Sequence, residues 1–523
     1  MRRIHWRLWL LVAFSTLLQL LPFPIAGPVP YWRRIFCWFC LTPLFFAVIY
    51  GRDADGKLLR PTQTALLGYV SGVLWYAGNC YWIYQTMYLY GGLPKPISLG
   101  ILFLFSLYLG LYVGLFGWLA GWLNRSLGQR ATLIVIPFLW VAVELARARI
   151  TSFPWDLLGY TQVDNGVLTR IVPWTGVMGL SLLIAAVNSL WLFKTRMRWI
   201  VPLIAFSLIV VFVVSGNFGT QVQPVNSAAI LLQENLSVGA EGKTRAETKQ
   251  QMLASFDALS KNPQQSATTE APEIVLWPEA PASFIDSDPV LRQSMGTLAH
   301  DLHLPVVVDN VSIASQNASG RYNLYNSASF YSAQGAYLGH YDKMHLVPFG
   351  EYTPYKPLFF FAGSLLDDLP FVPGRTRTML NANNKRYGVF ICYESIFGDE
   401  IRRFAGDGAE VLVNLSDDGW YGDTSAPWEH LDMVRMRAIE NDRWVLRATN
   451  TGVTAAIDPT GRITAQLQRH IRSSLKAGFS FESKLTFYTR FGDWLAWVCA
   501  AVVASALIFG FARGRLAKRA EVH

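Results

Sequence analysis

The sequence predicts two bodies of different class in one chain: an α-helical membrane domain of about eight transmembrane helices, and an α/β domain of alternating strands and helices. Composition is the first reason. Of 523 residues, 52% are hydrophobic and 19 are tryptophan, more than an ordinary soluble domain carries. The apolar residues also fall in separate stretches, most of them approaching the roughly 20 residues needed to cross a bilayer. Charge divides the chain along the same line. Residues 217 to 488 hold 23 Lys and Arg against 29 Asp and Glu, whereas the remainder is strongly basic. The overall +9 is therefore no nucleic-acid signature; it is what loops and tails facing an anionic leaflet carry.

The apolar stretches lie near residues 8 to 25, 35 to 50, 64 to 86, 97 to 123, 131 to 147, 172 to 193, 199 to 215 and 491 to 512. The first follows Arg2, Arg3 and Arg7 and resembles a secretory signal peptide, but no small-x-small cleavage site follows, so it reads as an uncleaved anchor. With that end cytoplasmic, Arg52, Lys57, Arg60, Arg125, Arg130, Lys194, Arg196, Arg198 and the tail from Arg513 to Arg519 also fall inside. Arg33, Arg34, Lys95, Arg147, Arg149 and Arg170 are exceptions. The expected division is 1 to 216 for seven helices, 217 to 489 for an extracytoplasmic domain, and 490 to 523 for a last helix with a basic tail. Glu144 within a span is costly unless paired, and Arg147 at i+3 is its expected partner.

In the outer domain, strands are expected at Ala228 to Leu232, Glu273 to Trp277, Leu304 to Val308, Asn326 to Tyr331, Tyr387 to Cys392, Val411 to Leu415, Val445 to Ala448 and Thr454 to Ile457. Helices fit Arg245 to Asn262, Asp288 to Leu302 and Pro427 to Glu440, where apolar positions recur at helical spacing. Periodicity by itself supports α/β and nothing finer.

One strand ends abruptly in a thiol, in Gly388-Val389-Phe390-Ile391-Cys392-Tyr393-Glu394-Ser395. Another, Ile274-Val275-Leu276-Trp277-Pro278-Glu279, ends in a carboxylate, and the string from Tyr341 to Glu351 supplies Lys343. Acyl transfer needs a nucleophile, a proton acceptor and a cation for the developing oxyanion, and these three residue types fit those roles. A thiol with a pKa of about 8.5 is mostly protonated at neutral pH, so Cys392 needs a base, for which Glu279 is the candidate. A fixed ammonium such as Lys343 would stabilise the oxyanion where water is excluded. Taken singly, a strand-end Cys is more often a small buried hydrophobe, and a lone Glu or Lys a surface charge. The other cysteines, Cys37, Cys40, Cys80 and Cys499, all fall in expected spans. The C-x-x-C of Cys37 and Cys40 lies in an apolar segment and reads as core.

In their strings and chain order, Glu279, Lys343 and Cys392 resemble the catalytic trio of the nitrilase, or carbon-nitrogen hydrolase, superfamily. Tyr341-Asp342-Lys343-Met344-His345-Leu346-Val347-Pro348-Phe349-Gly350-Glu351 and the helical strings Phe153-Pro154-Trp155, Leu158-Gly159-Tyr160 and Gly176-Val177-Met178-Gly179 narrow the likeness to its membrane-embedded apolipoprotein N-acyltransferase branch. The resemblance implies an αββα sandwich for the α/β domain, with Glu351, Tyr393 and Glu394 as supporting residues. A bland alternative for Glu394 is a helix N-terminal charge. It further implies an enzyme of the bacterial inner membrane with its catalytic domain on the outer face. That enzyme moves a fatty acyl chain from a phospholipid through a Cys thioester to the α-amino group of an N-terminal diacylglyceryl-cysteine, without cofactor or metal. The run from Asp417-Asp418-Gly419-Trp420-Tyr421-Gly422 to Arg447-Ala448-Thr449-Asn450 matches too, with departures at Asp417 (Asn is usual), Tyr421 (Phe) and Glu429 (Gln). The competing reading is a membrane-tethered carbon-nitrogen hydrolase (amidase), in which water resolves the acyl-enzyme. A transporter or scaffold with a degenerate domain is disfavoured by the complete trio. Gly242-Lys243-Thr244 lacks the first glycine of a phosphate loop, no H-E-x-x-H marks a zinc hydrolase, and no G-x-S-x-G marks a serine hydrolase.

Overall fold

The computed structural model describes residues 4–193, 222–238, 247–265, 268–279, 284–316, 320–352 and 371–520, without the side chains of 517–520. The expected span at 199–215 and the Gly242-Lys243-Thr244 string lie outside these residues. The chain forms two compact units: Met1–Gly219 with Asp423–Asp432 and Phe491–His523, and Thr220–Gly422 with Met433–Arg490.

The first unit is helical. Among the described residues four segments are long and apolar enough to cross a membrane, Tyr31–Tyr50, Lys95–Leu127, Gln129–Ile150 and Trp494–Leu516. Eight were expected. The apolar helices Trp6–Leu20 and Val177–Leu190 are shorter, and Pro61–Asn79, interrupted by Gly68, Gly72 and Gly78, is not among the four. That helix is nonetheless the closest neighbour of Lys95–Leu127, because small residues face each other along the seam. A Cβ at Gly68 would stand 2.3 Å from the Val113 carbonyl oxygen, and one at Gly117 2.3 Å from that of Thr64. Only glycine permits this approach.

Glu144 is buried, but not in the ion pair expected with Arg147. Its Oε1 accepts from Leu158 N (2.9 Å) and Trp140 Nε1 (3.1 Å), while Arg147 turns to the Trp155 carbonyl at 2.7 Å. Loop backbone that needed partners captured both side chains. The segment Asp423–Asp432, assigned by sequence to the outer domain, also packs here. Trp155 Nε1 donates to Glu429 Oε2 (2.7 Å), the Trp155 ring stacks on His430, and Ser425 N donates to Tyr81 Oη (3.1 Å). Among the described residues Cys37, Cys40, Cys80, Cys392 and Cys499 are buried, and no disulfide joins them.

The second unit is a two-sheet α/β domain. One sheet is 7-stranded, in the order β2-β13-β1-β3-β4-β5-β6. Its members are β1 (Ser227–Gln233), β2 (Gln264–Gln265), β3 (Pro272–Leu276), β4 (Val306–Gln316), β5 (Tyr322–Tyr331), β6 (Tyr337–Asp342) and β13 (Ser473–Phe479). The other is 6-stranded, ordered β12-β11-β10-β9-β8-β7, from β7 (Leu380–Ala382), β8 (Lys385–Ile391), β9 (Val411–Ser416), β10 (Val445–Thr449), β11 (Ala455–Ile457) and β12 (Ile463–Gln466). Strands β1 and β10 bring the two sheets face to face. The helices Lys249–Lys261 and Pro289–Leu302 lay Met252, Phe256, Leu291, Met295 and Leu298 onto the outer face of the first sheet, where they meet Val275, Trp277 and Val306. Within this frame β1 and β3 run parallel, as do β8, β9 and β10. The C-terminal ends of parallel strands are where the backbone turns outward and side chains gather into a site.

Candidate active site

Glu279 follows β3, Lys343 follows β6, and Cys392 opens the turn after β8. The strand end carrying Glu279 is anchored by Trp277, fully buried, whose Nε1 donates to Ser260 Oγ (3.0 Å) and whose ring meets Phe256 edge-on. Cys392 has φ +46°, a left-handed conformation that a non-glycine residue adopts at a cost of order 1–3 kcal/mol. Such outliers concentrate where a side chain must be presented from a sharp turn. Cys392 is 5% exposed.

Lys343 Nζ is the hub. It contacts Glu279 Oε1 at 3.2 Å and Glu351 Oε1 at 2.9 Å, and the Asn326 amide of β5 donates to the same two oxygens at 2.8 and 2.9 Å. The outer oxygens are fixed as well: Glu279 Oε2 accepts from Asp417 N (2.9 Å) and Glu351 Oε2 from Val347 N (2.7 Å). Burial works against the lysine's charge, but Glu279, Glu351 and the Cys392 sulfur hold the ammonium well above its ordinary range. Burial pushes the Cys392 thiol well up, Glu279 and Asp418 add to this, and Lys343 opposes it. The resting sulfur is thus a thiol that must lose its proton to a base before it attacks.

The structure brings the expected supporting residues to the site in different capacities. Glu351 pairs with the lysine through its Oε1. Glu394 does not stand out among the charges acting on the thiol. Its Oε1 accepts from Tyr341 Oη (2.7 Å), Met344 N (2.7 Å) and His345 N (3.1 Å), and its Oε2 from Ile391 N (2.7 Å). It is both the local cap of the turn and a clasp on the lysine loop. Burial pushes it up to about 7 despite those donors. Tyr393 is buried edge-on to Phe397. Sequence reasoning missed Asn326, whose signal was a polar residue opening an expected apolar strand, and the main-chain role of Asp417. Asp418 pairs with Arg447 at 2.6 Å and accepts from Ser416 Oγ (3.0 Å). Among the described residues no group of three or more His, Cys, Asp or Glu is arranged to hold a metal.

A thiol, two carboxylates and an ammonium at strand ends of a two-sheet α/β sandwich define the class, and residues 236–478 match the carbon-nitrogen hydrolase family. Residues 9–190 match the apolipoprotein N-acyltransferase N-terminal domain. The apolipoprotein N-acyltransferase of Geobacter metallireducens is 32% identical over 520 residues, covering 97% of this chain and 95% of that one. Those of Methylococcus capsulatus and Pseudomonas putida are 34% and 31% identical, covering 92% and 96% of this chain and 93% and 96% of their own lengths. The chain belongs to the apolipoprotein N-acyltransferase family, and it is an acyltransferase with a nitrilase-like α/β domain.

Proposed function

We propose that the chain N-acylates lipoproteins by a two-step, ping-pong reaction at Cys392. In the first step Glu279 takes the thiol proton and the sulfur attacks the ester carbonyl of a phospholipid acyl chain, such as that of phosphatidylethanolamine. Lys343 stabilises the oxyanion, the C–O bond breaks, and a lysophospholipid leaves with the proton returned from Glu279. In the second step the α-amino group of a diacylglyceryl-cysteine attacks the thioester. The C–S bond breaks, an amide forms, and the thiol is regenerated. Glu351 keeps Lys343 charged and aimed, Asn326 holds the two carboxylates in place, and Glu394 keeps the lysine loop on the cysteine turn.

The observation that carries this reading is Lys343 Nζ lying within 3.2 Å of Glu279 and 2.9 Å of Glu351, in a chain whose helical unit can enter a bilayer. Donor and acceptor both held by their acyl chains suit such a chain. We place it in the bacterial inner membrane as a multi-pass protein, with residues 217 to 489 on the periplasmic side, in keeping with the basic residues at the expected cytoplasmic ends. The test is to load purified protein with phospholipid alone, locate the adduct by mass spectrometry, then add a diacylglyceryl peptide with a free amino terminus. A stable acyl mass on Cys392, converted to amide on addition, is expected. Rapid release of free fatty acid without amide would instead support the amidase reading.

A further inference from the structure

Asp417, the residue after β9, is 2% exposed and touches the site through its backbone: its N–H is the donor to Glu279 Oε2. Its side chain is held on one oxygen only. Oδ1 accepts from Gly419 N (2.9 Å) and from Asn450 Nδ2 (3.0 Å), while Oδ2 is buried and has no hydrogen-bond partner among the described residues. Asn450 is itself fixed by Leu236, whose N–H it accepts and whose carbonyl it donates to, both at 2.8 Å. Gly419 packs closely against that oxygen, since a Cβ there would stand 2.8 Å from Oδ1.

The charges around it are already committed. Lys343, beyond β6, binds Glu279 and Glu351; Arg447, on β10, pairs with Asp418. Glu279 faces it from the end of β3, Cys392 lies beyond β8, and Asp418 is its chain neighbour. Among the described residues, an ionised Asp417 would be a buried anion with a bare oxygen and no uncommitted cation, beside two further carboxylates, a situation that costs several kcal/mol. A carboxylic acid fits the same place: its carbonyl oxygen takes both N–H donors and its hydroxyl occupies the Oδ2 position.

We propose that Asp417 is a positioning residue that works only as the neutral acid, letting the turn after β9 lie against Glu279 and hold its Oε2, and that ionisation of Asp417 releases this hold. The inference rests on the reading of Glu279 as the base. Burial, with Glu279 adding to it, pushes Asp417 up to about 8. Among the groups around it, Lys343 is held well above its ordinary range, the Cys392 thiol is pushed well above its own, and Glu394 is pushed up to about 7. The sign follows from linkage. Because the folded acid keeps its proton to higher pH than the unfolded one, the stability it contributes is fully present at low pH. It is lost as pH rises from the ordinary carboxyl range of about 4 through about 8.

The experiment compares the full-length chain with Asp417→Asn, which is neutral at every pH and keeps an oxygen for the two donors. Single-turnover thioester formation and thermal unfolding are followed against pH. The unsubstituted chain is expected to lose rate above about pH 8, roughly tenfold per further pH unit, while Asp417→Asn keeps its rate there, and the gap between their unfolding midpoints widens between about pH 4 and 8. Parallel rate profiles, a constant gap, or a folded Asp417→Asn variant inactive at every pH would overturn the proposal. If that variant does not fold, the infrared carbonyl band of a protonated carboxyl in the unsubstituted chain decides: loss of the band together with the rate supports the proposal, and a band and rate that titrate apart overturn it. Glu279→Gln separates the two levels. Normal thioester formation by that variant sinks the reading of Glu279, whereas its inactivity together with an unchanged alkaline limb in Asp417→Asn sinks only the role of Asp417.

Discussion

Two buried ion clusters sit in the same α/β unit and differ in their charge balance. Around Lys343, two carboxylates share one ammonium, and the Cys392 thiol feels both that ammonium and Glu279. At Asp418, one carboxylate meets one guanidinium at 2.6 Å, with both side chains fully buried and Asn414 bonded to the same Arg447. The first cluster holds a surplus of negative charge beside a group that can give up a proton; the second is matched one to one. Burial alone therefore does not mark a reactive site. What sets the first cluster apart is its imbalance beside a thiol, while the matched pair is balanced internally even though its Asp418 also acts on that thiol.

The widest separation between the clusters is expected from Cys392→Ser. A hydroxyl has a far higher pKa than a thiol, so Glu279 cannot ionise it, and turnover should vanish while the unfolding temperature stays near that of the unsubstituted chain. Near-normal N-acylation by the serine variant would reject Cys392 as nucleophile. Next comes Lys343→Ala, which removes the cation of the unbalanced cluster and should slow thioester formation by at least about 10²–10³-fold. A single-turnover rate within a few-fold of normal would remove Lys343 from the oxyanion role. Arg447→Met probes the balanced cluster and should act on stability, costing about 3–5 kcal/mol by leaving Asp418 buried and unpaired. Denaturant unfolding measures it, and a variant of unchanged stability contradicts the structural assignment. The smallest effect is expected of Glu394→Gln. The amide keeps one oxygen for the Met344 and His345 N–H groups but turns its NH2 toward Ile391 N, losing about 1–2 kcal/mol. A change in rate far larger than that energy would mean Glu394 acts on the reaction directly.

Much of the α/β unit was legible because short apolar strands bounded by turns admit few alternatives. The expected strand Val411 to Leu415 is β9, Val411–Ser416, and the helix expected at Asp288 to Leu302 is Pro289–Leu302. What escaped was less apolar. Strand β13 lies beside β1, one strand in from the edge of its sheet, yet Ser473, Ser474, Lys476 and Gly478 hide its inward Leu475, Ala477 and Phe479. Strand β6 carries Gly339 at φ +123° and a register shift at its pairing with β5, which break the alternation a strand is read by. In the helical unit, hydrophobicity located the segments but not their lengths, since glycine-lined packing and short apolar helices look alike in composition. The trio of Glu279, Lys343 and Cys392 was visible as three strand-end strings. Asn326 and Asp417 were not, because one acts through an amide inside a strand and the other through its main chain.

The clasp made by Glu394 also has a consequence for the order in which the molecule comes together. Lys343 and Glu279 follow strands of the 7-stranded sheet, whereas Cys392 and Asp417 follow strands of the other. The bonds from Met344 and His345 to Glu394, and from Asp417 to Glu279, therefore join groups 50, 49 and 138 residues apart in the chain, across two sheets. Closing such distant pairs carries an entropic cost that only the docked sandwich repays. Until the sheets dock, the thiol has neither acceptor nor cation and behaves as an ordinary cysteine. On the proposed mechanism, uptake of an acyl group by Cys392 therefore requires the docked sandwich.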